Sequence, residues 1–106
     1  MIPTITVQEC ARRLAAETPP LLLDVREDFE LDIARIEGAL HIPMAAIAQR
    51  LDALDSTREI VVMCHHGVRS AHVCEFLLSH GFEEIMNLEG GIDSWSRQVD
   101  PSIARY

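Results

Sequence analysis

The chain has 106 residues, 48% of them hydrophobic, which suits one compact domain over residues 1–106. Seventeen acidic and nine basic side chains give a formal charge of −8. This charge disfavours binding to nucleic acid or to an anionic membrane surface, because both need a basic face. All nine basic residues are arginine, which excludes the phosphate-binding lysine of nucleotide-binding loops and Schiff-base chemistry.

Targeting signals and disulfide patterns are not recognisable in the sequence. No apolar run approaches the roughly 18 residues that a membrane-spanning helix needs, and the N-terminus lacks the basic start and apolar stretch of a secretory signal. We therefore expect a cytoplasmic protein. Cys10, Cys64 and Cys74 are an odd number of cysteines at no disulfide-framework spacing, so we expect reduced thiols.

The apolar pattern predicts strands that alternate with helices. Thr6 and Glu9 fit a capping box at a helix start. Continuous apolar runs such as Leu21–Val25 are typical of strands covered on both faces, and such strands are usually parallel. The predicted elements are a helix from Thr6 to about Leu14, strands at Leu21–Val25 and, after an acidic turn, Ala39–Pro43, a helix at Met44–Leu54, a strand at Ile60–Met63, a helix from about Ser70 to Gly81, a strand at Glu84–Leu88 and a short helix around Trp95.

This alternation favours an α/β fold, with one parallel sheet and helices on both faces. In such sheets, ligands bind beyond the carboxyl ends of the strands. Two polar segments are predicted at that edge, Asp24–Glu27 after one strand and Cys64–Ser70 after another. The second segment carries a nucleophile, so we expect the chemistry there.

Cys64 is the predicted nucleophile. A cysteine between a buried strand and a helix faces backbone N–H groups and the positive end of the helix dipole, which together form an anion-binding cup around the sulfur. Gly67 lets the backbone bend, Arg69 adds a fixed positive charge, and His65 and His66 are further donors. Such surroundings favour the thiolate. We expect a larger effect from preorganised hydrogen-bond donors, which stabilise the negative charge of the incoming anion.

Other interpretations of the cysteines and histidines are weaker. Cys10 and Cys74 lie on apolar helical stripes, which predicts ordinary core packing. A metal site would draw on Cys64, Cys74 and the nearby histidines, but adjacent Cys-His-His lacks the gaps of zinc sites, so no metal is predicted. His72 and His80 are interpreted as solvated helix residues.

The spacing of the arginine separates two kinds of substrate. Tyrosine-type phosphatases and arsenate reductases use a cysteine, five intervening residues and then an arginine. Here Ser70 stands six residues after Cys64, and Arg69 comes one residue early. The loop from the cysteine to the arginine is therefore one residue shorter than in those enzymes and forms a smaller ring. This smaller ring favours a sulfur-sized target over a phosphoryl group.

Four segments resemble, in order, the signatures of the rhodanese family of single-domain sulfurtransferases. At Ala34-Arg35-Ile36 the sequence departs from the family's usual Gly-His before the Ile. The four segments are Leu22–Glu27, Glu37–Ala39 with His41–Pro43, Cys64–Ser70, and Leu88–Gly91 with Trp95.

The resemblance implies a rhodanese-like three-layer α/β/α fold with a five-stranded parallel sheet, and Cys64 as the carrier of sulfane sulfur in a persulfide. It also implies that the backbone amides of residues 65–69 cradle that sulfur and that Arg69 faces the anionic donor. Asp24 and Arg26 are interpreted as supports of the loop edge, because structural ion pairs are common, and Trp95 as a core residue. The substrate-binding residues implied are His65, His66, Gly67, Val68, Arg69 and Ser70.

The leading hypothesis is a sulfurtransferase that moves sulfur from a donor such as thiosulfate, through Cys64, to a thiol or a protein acceptor. This chemistry needs no metal and no organic cofactor. A second hypothesis is a sulfur-relay or persulfide-carrier module that serves one partner protein. A phosphatase of the same fold is disfavoured by the short ring. A silent interaction domain would lack the loop cysteine, which this sequence has.

Overall fold

The computed structural model describes residues 2–106 and contains a five-stranded parallel sheet with helices on both sides. The strand order is β1-β5-β4-β2-β3, and every neighbouring pair is parallel. The strands are β1 (Thr4–Ile5), β2 (Leu21–Asp24), β3 (Leu40–His41), β4 (Ile60–Met63) and β5 (Ile85–Leu88), and the helices are α1 (Val7–Leu14), α2 (Asp28–Ile33), α3 (Val68–Ser79) and α4 (Gly91–Gln98), with a 3₁₀ helix at Met44–Ala53.

The central strand β4 is buried on both faces, because apolar side chains alternate between two cores. Ile60, Val62 and the following Cys64 pack with α3 and the 3₁₀ helix. Val61 and Met63 point the other way and pack with α1 and α4. The predicted three-layer α/β/α fold is confirmed, and the continuous apolar runs follow from burial on both faces.

The predicted capping box at α1 forms only in part. Thr6 accepts a hydrogen bond from the Glu9 backbone N–H at 3.2 Å. The Glu9 carboxylate does not return to Thr6; it binds Arg12 and Arg13 instead. A charge-assisted bond to a guanidinium three or four residues along the helix is stronger than one to a neutral backbone amide.

Residues 28–33 form a helix where an acidic turn was predicted. The Glu30 carboxylate accepts a hydrogen bond from the Glu27 backbone N–H at 2.9 Å, which satisfies a free donor at the start of α2. Acidic residues at a helix start also interact well with the helix dipole. The acids that suggested a turn therefore begin a short helix.

Two further boundaries differ from the prediction. The apolar stripe at residues 44–54 is carried by a 3₁₀ helix in which Arg50 has non-helical angles (φ −124°, ψ 24°). Ile47 and Leu54 still reach the core, so burial is achieved without a regular α-helix. Helix α3 begins at Val68, about two residues earlier than predicted. The two-residue β1 was not predicted and is held in place by its pairing with β5.

Helix lengths also bear on the membrane prediction. Within residues 2–106, none of the helices has both the length and the apolar character that crossing a bilayer requires.

Candidate active site around Cys64

Three polar residues meet at the carboxyl edge of the sheet. Asp24 closes β2 and pairs in register with Met63, the last residue of β4. Cys64 follows directly, and Asn87 on β5 pairs in register with Val62. Parallel strands bring these positions together, so the cysteine loop lies at the carboxyl edge of the sheet, which is the edge where ligands bind in folds of this class.

The sulfur of Cys64 is nearly covered and contacts two residues of the loop. The residue is 1% exposed. Its Sγ accepts a hydrogen bond from the Gly67 backbone N–H at 3.1 Å and lies 3.3 Å from Ser70 Oγ. Gly67 has φ +112°, a left-handed conformation that glycine adopts without a Cβ penalty. One amide of the expected cradle is thus in contact with Sγ, and a role for the other amides stays a prediction.

Asn87 ties the two ends of the loop to the sheet. It accepts a hydrogen bond from the Ser70 hydroxyl at 2.5 Å and donates from Nδ2 to the Gly67 carbonyl at 3.0 Å. Because the Ser70 proton points to Asn87, the thiol is the donor in the Cys64–Ser70 contact. Asn87 was not predicted as a site residue. A signal for it was present, because an amide side chain inside the apolar strand Ile85–Leu88 needs hydrogen-bond partners when it is buried.

The start of α4 closes the other side of the loop. The backbone N–H of Ile92 donates to the Cys64 carbonyl at 2.9 Å, and that of Asp93 donates to the His65 carbonyl at 3.1 Å. Gly91 lies so close that a Cβ there would sit 2.4 Å from both carbonyl oxygens. Close approach of the two backbones therefore explains why a glycine stands at position 91, in the last of the four family-like segments.

Arg69 forms a bidentate ion pair with Glu30 of α2. Its two terminal nitrogens donate to the carboxylate at 2.7 and 2.9 Å. The Arg69 side chain is 32% exposed and that of Glu30 is 5% exposed. The bond to Arg69 is the main reason why the pKa of Glu30 falls to about 2. Glu30 likewise raises the pKa of Arg69. Contact between Arg69 and an anionic donor stays a prediction.

Comparisons with known proteins agree with this geometry. The sequence model of the rhodanese-like domain matches residues 6–98. The chain belongs to the rhodanese-like domain family. A protein named sulfurtransferase from Allochromatium vinosum is 34% identical, over 98% of this chain and 97% of its own length. Thiosulfate sulfurtransferase GlpE from Actinobacillus pleuropneumoniae is 31% identical, over 80% of this chain and 79% of its own. The crystal structure of a rhodanese-like domain protein from Staphylococcus aureus superposes with a TM-score of 0.86 at 31% identity, over 99% of both chains.

A second ion pair lies at the carboxyl end of β2 in this rhodanese-like domain. Arg26 and Asp24 are 0% and 1% exposed, and the guanidinium donates to the carboxylate at 2.7 and 3.0 Å. Arg26 also donates to the Ala34 carbonyl at 2.8 Å, at the position where the sequence departs from the family pattern. Neither side chain reaches the surface, and the role of both residues as supports of the loop edge stays a prediction.

Tyr106 is a site residue that the sequence analysis missed. Its hydroxyl accepts a hydrogen bond from Arg26 at 2.8 Å and donates to Glu30 at 2.9 Å. Its ring stacks on His65, with the centroids 3.9 Å apart and the planes 2° from parallel. Neither Glu30 nor Tyr106 lies in the two polar segments predicted at the sheet edge, and only the fold brings Tyr106 to Arg26.

The remaining predicted substrate-binding residues line the outside of the loop. His66 is exposed and Val68 is 68% exposed, whereas His65 is half-buried between His66 and Tyr106. Burial is the main reason why the pKa of His65 lies below its usual 6.5, so its ring is neutral at pH 7. A neutral His65 adds no charge to the site.

His65, His66 and Asp93 offer ligand atoms within 4.8 Å of one another, a spacing that a metal ion could bridge after small movements. However, Arg97 donates to the Asp93 carboxylate at 3.0 Å, and Arg105 lies 4.0 Å from it. Two guanidinium charges beside the one acidic ligand oppose a divalent cation. The group therefore does not favour a metal.

The other two cysteines are core residues. Cys10 and Cys74 are both 0% exposed. Burial raises the pKa of Cys10 to about 11 and that of Cys74 to about 12. Their packing agrees with the prediction, as does that of Trp95, which is 6% exposed. His72 and His80 are exposed on and just after α3.

Proposed function

We propose that this chain is a sulfurtransferase that carries sulfane sulfur on Cys64 as a persulfide. It takes the sulfur from a small anionic donor such as thiosulfate and passes it to a thiol or a protein acceptor. The observation that carries the proposal is the placement of the Cys64 sulfur at the carboxyl end of β4, 3.1 Å from the Gly67 backbone N–H. Relatives named sulfurtransferase and thiosulfate sulfurtransferase support it.

The proposed reaction consists of two displacements at sulfur. In the first, the Cys64 thiolate attacks the sulfane sulfur of thiosulfate, a new S–S bond forms, and sulfite leaves with the electron pair of the broken bond. In the second, an acceptor thiolate or cyanide attacks the outer sulfur, and the Cys64 thiolate leaves. Electrons and atoms balance without a cofactor, and ping-pong kinetics are expected.

Two features of the loop support this chemistry. The Gly67 N–H points at the atom that carries negative charge before the first displacement and after the second, so it stabilises the thiolate without reorganisation. Cys64 is only 1% exposed, so a donor must reach Sγ through a narrow opening or after a loop movement. This restriction favours a small sulfur-centred substrate over a bulky aryl phosphate.

Intact mass spectrometry after incubation with thiosulfate tests the proposal. We expect one added sulfur atom on the wild type and none on Cys64→Ser. Cys74→Ala serves as the control, because it removes a buried thiol from the same core and should still gain the sulfur. If the added sulfur persists on Cys64→Ser, the proposed site is wrong.

A relay module that serves one partner protein remains the second candidate, and the charge of −8 favours it. An acidic surface repels anionic donors at long range, so loading from thiosulfate should be slow. Loading rates of Cys64 from thiosulfate, a dianion, and from a low-molecular-weight persulfide of lower negative charge distinguish the two. Much faster loading from the persulfide supports the relay, and comparable rates support the thiosulfate enzyme.

A further inference from the structure

Tyr106 links two ion pairs at the edge of the Cys64 site. One pair joins Asp24 to Arg26 and the other joins Glu30 to Arg69. The Tyr106 hydroxyl lies between them, accepting from Arg26 at 2.8 Å and donating to Glu30 Oε1 at 2.9 Å. The same Oε1 accepts from Arg69 at 2.9 Å, so this single oxygen connects the tyrosine to the arginine.

The segment that carries Tyr106 is fastened to α4. The Ser96 hydroxyl donates to the Ile103 carbonyl at 2.6 Å, and Ser96 is only 2% exposed. Ile103 itself packs against the core cluster that contains Trp95. A hydrogen bond from the Ile103 N–H to the Asp100 carbonyl adds a turn. The chain is therefore anchored to the domain at Ile103, three residues before Tyr106, which is itself 36% exposed.

We propose that Tyr106 is a positioning residue for sulfur transfer, whose hydroxyl joins Arg26 to Glu30 and so holds the Glu30–Arg69 ion pair in one arrangement at the edge of the Cys64 site. The proposal rests on the proposed function of Cys64. Tyr106 touches neither Sγ nor a reacting atom and acts through Glu30. An arginine held in one orientation presents its charge to an anionic donor without the cost of ordering it at each turnover.

The burial of Arg26 explains why the hydroxyl is needed. Arg26 is 0% exposed, and without Tyr106 its Nη1 keeps only a 3.4 Å contact with the Glu30 backbone carbonyl. A buried donor without an acceptor is costly. Tyr106 also donates to Glu30 Oε1, so its hydroxyl ties the buried guanidinium to the carboxylate that binds Arg69. Without the hydroxyl, Glu30 loses one of the hydrogen bonds that fix its position, and the 32% exposed Arg69 is held less firmly.

Steady-state kinetics of Tyr106→Phe with thiosulfate test this role. The variant keeps the ring that stacks on His65 and loses only the hydroxyl. We expect KM for thiosulfate to rise about five-fold, with kcat changed less, because the effect of one hydrogen bond falls on donor binding. Thr57→Val is the matched control: it removes a hydroxyl that donates to Asp55 at 2.7 Å, at the opposite edge of the sheet before β4. An unchanged KM in Tyr106→Phe, or an equal rise in Thr57→Val, overturns the inference.

A second readout does not depend on sulfur transfer. Iodoacetate and iodoacetamide both alkylate thiols, but only iodoacetate is negatively charged. The iodoacetate rate divided by the iodoacetamide rate at Cys64 therefore reports how well the positive charge of Arg69 is placed to attract an anion. We expect Tyr106→Phe to lower the ratio in the wild-type background and to leave it unchanged in a Glu30→Gln background, whatever change the loss of the Glu30 charge causes by itself. An equal effect of Tyr106→Phe in both backgrounds would show that Tyr106 does not act through Glu30 and would overturn the inference.

The two readouts separate failure of the inference from failure of the proposed function. If the wild type gains no sulfur from thiosulfate or from a persulfide, the proposed function fails, and the alkylation ratio still decides the role of Tyr106. If the wild type gains sulfur and the ratio is the same in all variants, only the inference fails. If Cys64 gains no sulfur and reacts with neither alkylating reagent, both fail, because the sulfur is then out of reach.

Discussion

Replacing Glu30 by glutamine removes one negative charge from the candidate site with little change in shape. The carboxylate accepts two hydrogen bonds from Arg69, one from Tyr106 and one from the Glu27 backbone. Glutamine keeps a single acceptor oxygen and puts an NH₂ group where the other oxygen receives N–H donors. Arg69 consequently loses its counter-charge, and we expect the variant to be less stable.

The magnitude follows from the pKa of Glu30, which falls from 4.5 to about 2, mainly through the bond to Arg69. A lowered pKa in the folded state stabilises the protein above pH 4.5, and this stability is lost as the pH falls towards 2. The shift corresponds to about 3 kcal/mol at pH 7 and about 1.5 kcal/mol at pH 3. The Glu30 side chain is 5% exposed, so solvent screening is small. The raised pKa of Arg69 reports the same interaction and is not added to it.

Urea unfolding followed by circular dichroism, between pH 7 and pH 3, measures this dependence. The free energy of unfolding of Glu30→Gln should be lower than that of the wild type by about 3 kcal/mol at pH 7, and the difference should halve at pH 3. Glu9→Gln is the control, because Glu9 pairs with Arg12 and Arg13 on the exposed face of α1 and its loss should matter much less. A difference that does not change with pH would refute the reasoning, since packing and not charge would then be the cause.

Two further predictions concern the loop and its thiol. Gly91→Ala should destabilise the domain by at least about 2 kcal/mol more than Gly38→Ala, because both residues have positive φ but only Gly91 faces backbone oxygens at 2.4 Å; equal unfolding midpoints would contradict the close approach. At pH 8 iodoacetamide should modify Cys64 alone, since burial raises the pKa of Cys10 to about 11 and that of Cys74 to about 12. Peptide mapping that finds modified Cys10 or Cys74 in the folded protein would contradict this assignment.

The elements that the sequence predicted well are those with a strong local signal. Leu21–Val25 and Ile60–Met63 are short, apolar and bounded by polar residues, and both mark strands of the parallel sheet. Gly81 has φ +88° just after α3, as expected of a helix-ending glycine. The predictions failed where a local pattern fits two structures, as in the acidic segment at 28–33, which forms a helix.

The residues of the candidate site also divide into those with a local sequence signal and those without one. Cys64 and Gly67 could be found from the sequence because a cysteine loop after a buried strand is a local feature, and these two residues are in contact in the structure. Arg69 was found as well, but its partner was not. Glu30 stands 39 positions from Arg69, and no spacing rule connects them.

The sequence by itself determined the alternation of strands and helices and the position of the candidate nucleophile, because hydrophobic burial and chain stiffness act over neighbouring residues. Only the tertiary structure decided what surrounds Cys64. Asn87, Glu30 and Tyr106 each arrive from a different element, and Tyr106 meets Arg26 across 80 positions of the chain. Hydrogen bonds and ion pairs depend on distances of about 3 Å between groups, and such distances between remote segments are fixed only when the sheet and its helices pack.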